Sequence, residues 1–382
     1  MKKMKNQAVT IAALTTVLTG LALGSAFGQF ASKAGTNAFV QPAPTNVSVF
    51  ATGLNNPRGL KFGPDGNLYV AEGGIGGSNP ACVVVAAVGP YTGSPTNAGV
   101  SRIVNGLPTP VGDPLPSSQT SASSGSLVSG VGDIAFIGNT LYALLAGAGC
   151  SHGVPTIPNE VIRLNDDGSW TLIADLSAFL RAHPVKNPDP DDFEPDGTWY
   201  SMIAVRGDLY AVEPNHQEID RISPTTGEIR RVVDVSASYP PPNDTNRNWV
   251  GPTALVYHGN FFFGNLGPFP VEPGTQEVRK LTPSGNFFTW ATGLTTVVGL
   301  AFDNRDRLYV LESMTNPGFP GPGQFGSGTV VRIEPSGDQT VVASGLTFPT
   351  AMTLGPDGAL YVSNMGFGFP AGQGQILRIT VP

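Results

Sequence analysis

An all-β fold, a six-bladed β-propeller of four-stranded antiparallel blades, is predicted by three observations on this sequence. One phrase recurs near both ends: Gly53-Leu-Asn-Asn-Pro-Arg-Gly-Leu-Lys-Phe-Gly-Pro-Asp-Gly-Asn-Leu-Tyr-Val-Ala-Glu72 and Gly345-Leu-Thr-Phe-Pro-Thr-Ala-Met-Thr-Leu-Gly-Pro-Asp-Gly-Ala-Leu-Tyr-Val-Ser-Asn364. Degenerate copies start at Val131, Tyr200, Pro252 and Val298, which makes six. The aromatic of the second apolar run falls at Tyr69, Tyr142, Tyr210, Phe262, Tyr309 and Tyr361, at spacings of 73, 68, 52, 47 and 52 residues. Repeats of this period build solenoids or propellers. Finally, the copies carry four short β-type runs each, the last one three, and no helical periodicity, which selects the propeller.

Within a copy, a run such as Gly59-Leu60-Lys61-Phe62 meets Pro64-Asp65-Gly66 and then Leu68-Tyr69-Val70. Pro-Asp-Gly presets a tight turn, so the pair reads as a hairpin of strands A and B. Strand C is predicted at Ser101-Arg-Ile-Val, Val161-Ile-Arg-Leu, Ile219-Asp-Arg-Ile, Val278-Arg-Lys-Leu, Val330-Val-Arg-Ile and Ile376-Leu-Arg-Ile. Strand D follows in runs such as Trp170-Thr-Leu-Ile and Gln339-Thr-Val-Val. The sixth unit ends after strand C, while Val47 to Thr52 precedes the first strand A and has no unit of its own. Pairing the two closes the ring and removes its open edges.

Radial repeats share one ring, so residues 47–382 are expected to be one domain despite the length of 382 residues. Gly (49) and Pro (35) supply the turns, and charged residues are only 13%, about half the usual share of about 25%. Residues 1–28 have the form of a signal peptide: Lys2, Lys3 and Lys5, an apolar stretch from Ala8 to Gly24, then small residues. Residues 29–46 read as a flexible leader, and the expected location is secreted or periplasmic. Loss of the three lysines takes the net charge from −7 to −10, which argues against nucleic acid as a partner. No membrane span is expected, and the protein is expected to be a monomer.

The strand order puts tight A–B and C–D turns on one face and long B–C and D–A loops on the other. The long segments are 73–99, 115–130, 146–159, 176–198, 236–250, 265–275 and 313–328. Binding residues concentrate on loops held by a rigid scaffold, so the long-loop face is the candidate site. Cys82 and Cys150 lie in B–C loops of adjacent units and are expected to be bridged, a pair of free thiols being the alternative. At the start of strand A the residues are Arg58, Gly132, Ser201, Thr253, Val298 and Thr350. The only carboxylate nearby is Asp133, one position along; it is a candidate ligand-binding residue beside Arg58, but alone it argues against the oxygen-rich calcium centre of propeller lactonases. Arg58 suggests an anion or carbonyl group at the channel mouth, or a salt bridge.

At the end of strand B stand Glu72, Leu145, Glu213, Asn265, Glu312 and Asn364. They either ring a cation or polar ligand or hold adjacent loop backbone. Asp189, Asp191, Asp192, Glu194 and Asp196 form the densest acidic run, a weak candidate for Ca²⁺ beside the reading of a solvated loop, since its spacing is not that of an EF-hand and prolines interrupt it. His216, three residues after Glu213, is either a general base or a surface histidine. No serine elbow, HExxH motif, phosphate-cradling glycine loop or metal-spaced Cys/His cluster is present.

The residues gathered so far resemble the ScyD/ScyE family of exported bacterial proteins, encoded with genes for the pigment scytonemin. The likeness rests on the 53–72 phrase, Val104-x-Gly-Leu-Pro108, Asn187-Pro-Asp before Trp199-Tyr200, Glu213-Pro-Asn215 and Gly259-Asn-Phe-Phe-Phe-Gly-Asn-Leu-Gly-Pro-Phe-Pro270. One departure is Asn265, where the family pattern carries Glu. The resemblance implies an exported NHL-like propeller. A more distant similarity to quinoprotein sugar dehydrogenases rests on the strand-turn-strand phrase. The expected function is a secreted binding or scaffold propeller that holds a small molecule, glycan or protein on its long-loop face. The alternative is an enzyme, lactonase-like, hydrolase-like or sugar-dehydrogenase-like, on the same face.

Overall fold

The N-terminal strand Val47–Leu54 pairs antiparallel with Gly374–Ile379, the last strand of the chain, from Val47 opposite Ile379 to Leu54 opposite Gly374. This is the closure that the unattached first run predicts. A computed structural model describes residues 46–85, 90–120, 127–188, 193–238, 251–267, 270–282, 284–317 and 325–382. They form six antiparallel sheets in sequence order, whose innermost strands pack against one another around a central axis. From the axis outward the A strands are Pro57–Phe62, Val131–Ile137, Ser201–Val205, Pro252–His258, Val297–Phe302 and Ala351–Leu354. Their B partners are Leu68–Glu72, Thr140–Leu145, Asp208–Glu213, Asn260–Asn265, Leu308–Glu312 and Leu360–Asn364. The apolar residues of neighbouring blades form the core between sheets, with Leu54, Leu60, Val70, Tyr361 and Ile376 in one such layer.

The turn residues explain the recurrent Asp and Tyr. Asp65 accepts from the Asn67 backbone at 3.1 Å and from the Tyr69 hydroxyl at 3.0 Å, and Asp357 does the same for Ala359 and Tyr361. Burial alone would raise these two carboxyls and Asp303, but the hydrogen bonds hold them below the usual carboxylate range. The tyrosine ring crosses the turn, so a Cβ at Gly63 would lie 2.6 Å from Tyr69 and one at Gly355 2.4 Å from Tyr361. Only glycine fits at those positions.

Three of the long-loop spans differ from the sequence expectation. Residues 79–80 and 92–99 of the first span and 115–119 of the second are strand, because blade 1 projects a hairpin of Thr92–Val104 and Leu107–Gln119 beyond the ring, with the short strand Asn79–Pro80 alongside. Its Gly, Ser, Thr and Pro content reads as loop. Prolines 108, 110, 114 and 116 are tolerated because the strand that carries them is an edge. In addition, 176–198 begins with a short helix, α1 (Leu176–Ala182), capped by the Asp175 carboxylate on the Ala178 backbone at 2.8 Å.

The disulfide between Cys82 and Cys150 joins the B–C segments of blades 1 and 2, with 5.4 Å between Cα atoms and a sequence separation of 68. Closing a loop of that size contributes about 4 kcal/mol on the chain-entropy argument. Replacing both cysteines by serine is expected to lower the melting temperature by roughly 5–10 °C. Intact mass after alkylation without reduction should show no added alkyl group. Two additions contradict the bridge.

Candidate functional site

At the long-loop end of the axis, Tyr200 lies just before the A strand of blade 3 and donates from its hydroxyl to the Thr350 carbonyl of blade 6 at 3.0 Å. Blades 3 and 6 face each other across a six-fold ring, so this side chain spans the channel mouth. Thr350 donates in turn to the Pro57 carbonyl at 2.6 Å, and Ser363 to the Arg58 carbonyl at 2.6 Å. The half-buried Arg58 side chain runs alongside. Its Nη2 donates to the Val128 carbonyl, and its guanidinium sits 5.9 Å from the centre of the Phe367 ring. Burial pulls the guanidinium below the ordinary arginine value, opposed by Tyr200. Burial likewise pushes the Tyr200 phenol up to about 12. No carboxylate pairs with Arg58 among the described residues.

Asp133 does not join this mouth as a free ligand. It is buried between blades 1, 2 and 3, accepting from Lys61 Nζ at 3.2 Å, the Met202 backbone at 2.9 Å and the Ile134 backbone at 2.8 Å. Burial raises its carboxyl, with Lys61 opposing.

The residues ending strand B hold loop backbone. Glu72 accepts from the Asn55 amide at 2.6 Å, Glu312 from Thr295 at 2.6 Å and Asn364 from Thr347 at 2.8 Å. Each donor lies 17 residues earlier, directly after a Gly-Leu pair (Gly53-Leu54, Gly293-Leu294, Gly345-Leu346) whose glycine has φ of 78–87° and whose leucine is buried. The glycine reverses the chain, the leucine anchors it, and the next N–H meets the acceptor. The second oxygens of Glu72 and Glu312 take the hydroxyls of Ser101 and Thr329, both at 2.5 Å. Burial raises both carboxyls. Glu213 accepts from the Thr198 backbone at 2.7 Å and from the His216 backbone, and burial pushes it to about 8. Asn265 donates to the Gln276 side chain. Where blade 2 has Leu145, the task passes to Asn159, which accepts from Ala148 at 2.8 Å and donates to Gly197 at 2.7 Å.

His216 is buried, not on the surface. Its Nε2 meets the Glu194 carbonyl at 2.8 Å, its ring packs on Phe193, and burial lowers its pKa. Glu194 belongs to a sealed network that sequence reasoning missed. It accepts from the Tyr91 hydroxyl at 3.0 Å and from Thr198, and faces His152 Nε2 at 3.3 Å, while His152 Nδ1 meets Ser118 Oγ at 2.9 Å. Burial pushes the Glu194 carboxyl up, but His152, Thr198 and Tyr91 prevail and leave it below the usual range. Asp196 accepts from Ser151 at 2.8 Å and from Arg181 at 2.7 Å. With their oxygens so engaged, Glu194 and Asp196 do not fit a calcium centre. Asp189, Asp191 and Asp192 lie outside the described residues. Among the described residues no group of three or more His, Cys, Asp or Glu is placed to hold a metal ion.

No family model and no curated protein matches this chain. Solved propellers do. A protein of unknown function from Bacteroides thetaiotaomicron superposes with a TM-score of 0.52 at 12% identity, over 87% of this chain and 75% of the other. A putative oxidoreductase (glucose dehydrogenase) from Thermus thermophilus gives 0.51 at 18% identity, over 87% and 99%, and a further glucose dehydrogenase gives 0.51 at 16%, over 89% and 100%. At these identities the likeness is one of fold. No helix among the described residues is long and apolar enough to cross a membrane.

Proposed function

We propose that this chain is an exported binding propeller that holds a small molecule through a carboxylate or carbonyl oxygen at Arg58, on the long-loop face. The observation that carries this reading is a half-buried guanidinium with no carboxylate partner among the described residues, in a chain of net charge −7. A partly buried cation without a counter-ion is costly, and an anionic or polarised oxygen recovers that cost through the planar donor fork of arginine. Phe367 and Tyr200 add an apolar wall and a hydroxyl beside it, the mixture small-molecule sites use. Export is supported by the form of residues 1–28 and by a disulfide, which persists in oxidising compartments. The resemblance to ScyD/ScyE proteins points to the same setting.

The enzymatic alternative has one feature in its favour, the Ser118–His152–Glu194 line of contacts. Ser118 and His152 have no exposed surface, so no substrate reaches the serine oxygen in this arrangement.

The test is a thermal-shift screen with small organic carboxylates. A ligand that binds only the folded protein raises its melting temperature. A hit should raise it for the parent and for Asp65→Asn on the short-turn face, and leave Arg58→Gln unmoved relative to that variant's own baseline. A shift that survives in Arg58→Gln contradicts the reading.

A further inference from the structure

We propose a second binding site, for a neutral saccharide, in an open cleft of about 300 Å³ on the projecting hairpin of blade 1. This goes beyond the Arg58 reading and does not depend on it. The side chains lining the cleft are Ile75, Ser78, Asn79, Ser94, Asn97 and Gln119, with three glycines completing the wall. None carries a charge. An ionic ligand finds no partner there, whereas a sugar hydroxyl, which both donates and accepts, matches hydroxyls and side-chain amides.

The wall is braced from within. Asn97 Nδ2 donates to the Gly76 carbonyl at 2.8 Å and Gln119 Nε2 to the Gly77 carbonyl at 3.1 Å, while the Gly76 N–H donates to Ser117 Oγ at 2.9 Å. Each amide thereby gives one of its two N–H donors to the scaffold. The amide oxygens of Asn97 and Gln119 accept from no donor among the described residues and remain for ligand hydroxyls. Gly77 lies so close to the facing strand that a Cβ there would be 2.0 Å from the Gly93 carbonyl carbon. Asn79 pairs with Gly93 on that strand, and Cys82 nearby donates to the Cys150 carbonyl at 3.0 Å beside the disulfide. Polar groups held in place before the ligand arrives lose little entropy on binding. Ile75, 48% exposed, offers the apolar patch against which the C–H face of a pyranose packs.

The experiment is saturation-transfer-difference NMR of the purified protein with glucose, N-acetylglucosamine, maltose and cellobiose at millimolar concentration. At least one should receive saturation. Ser78 and Asn79 are exposed and make no side-chain hydrogen bond among the described residues, so the double variant Ser78→Ala/Asn79→Ala keeps the fold. It should weaken binding about tenfold, as the loss of one or two hydrogen bonds requires. Arg58→Gln should leave the affinity unchanged, which separates this site from the channel mouth. Absence of transfer to all four sugars overturns the proposal. So does an affinity unmoved in the double variant, or one lost in Arg58→Gln.

Discussion

A chain that begins at Asn55 is expected to lose the cooperative fold, whereas one that begins at Gln41 should melt like the full-length protein. The difference is the strand Val47–Leu54, which supplies the outer edge of the sixth blade. Ala51 and Leu54 are buried in the core layer between blades 6 and 1, and Phe50 packs edge-on against Tyr361 at 5.0 Å. Asn46 adds hydrogen bonds to Val342 at 2.8 Å and Thr380 at 3.1 Å. Losing a buried leucine alone costs about 2–5 kcal/mol, and the open edge loses its backbone ladder as well. Against a total stability of about 5–15 kcal/mol, that is most of what holds the ring. Circular dichroism melts of both truncations decide the matter, and equal melting temperatures contradict the closure as a source of stability.

Stability is expected to fall between pH 5.5 and pH 8.5. Burial pushes Glu213 to about 8, and burial together with Asp175 pushes Glu160 to about 7. Asp220 is raised well above its ordinary value by burial and then by Glu218. Both Asp220 oxygens and Glu218 Oε1 are buried without a hydrogen-bond partner among the described residues, so a proton on Asp220 relieves its repulsion with Glu218. Carboxyls whose folded pKa is raised favour the folded state while protonated. Their contribution is complete below their unfolded values near 4 and is lost as pH rises through 7 to 8. At 1.36 kcal/mol per pKa unit the combined loss is on the order of 3–5 kcal/mol, or roughly 5–10 °C in melting temperature. Below about pH 4 the trend reverses, because Asp65, Asp303 and Asp357 are held low by their hydrogen bonds and protonation releases the turns. Asp220→Asn, which places an amide where the protonated carboxyl donates, should flatten the alkaline limb. A melting temperature that rises from pH 5.5 to 8.5 contradicts this assignment.

The fold was legible because the strand-turn-strand pattern recurs in every blade and its turn chemistry is repeated in full in blades 1 and 6. Pro-Asp-Gly fixes the A–B turn, the Tyr that follows seats on that Asp, and an unpaired first run matches a missing last strand. The 17-residue step from Asn55 to Glu72, Thr295 to Glu312 and Thr347 to Asn364 is also written in the sequence, as Gly-Leu-x at one end and a polar residue after the B strand at the other. What composition hid is the blade 1 hairpin, whose residues have low strand propensity and are held by pairing with each other. The Tyr200 span and the Ser118–His152–Glu194 network were hidden for another reason. Their members are 34 to 150 residues apart and meet only once the ring has closed. His216 was misplaced for the same cause, since the 193–198 segment that covers it is neither periodic nor apolar.

Anion binding by Arg58 at the channel mouth is tested most directly by anomalous diffraction from crystals soaked in bromide. A peak within contact distance of the Arg58 guanidinium, beside Phe367 and Tyr200, is the predicted result. Bromide found elsewhere on the surface with none at Arg58 would contradict the account.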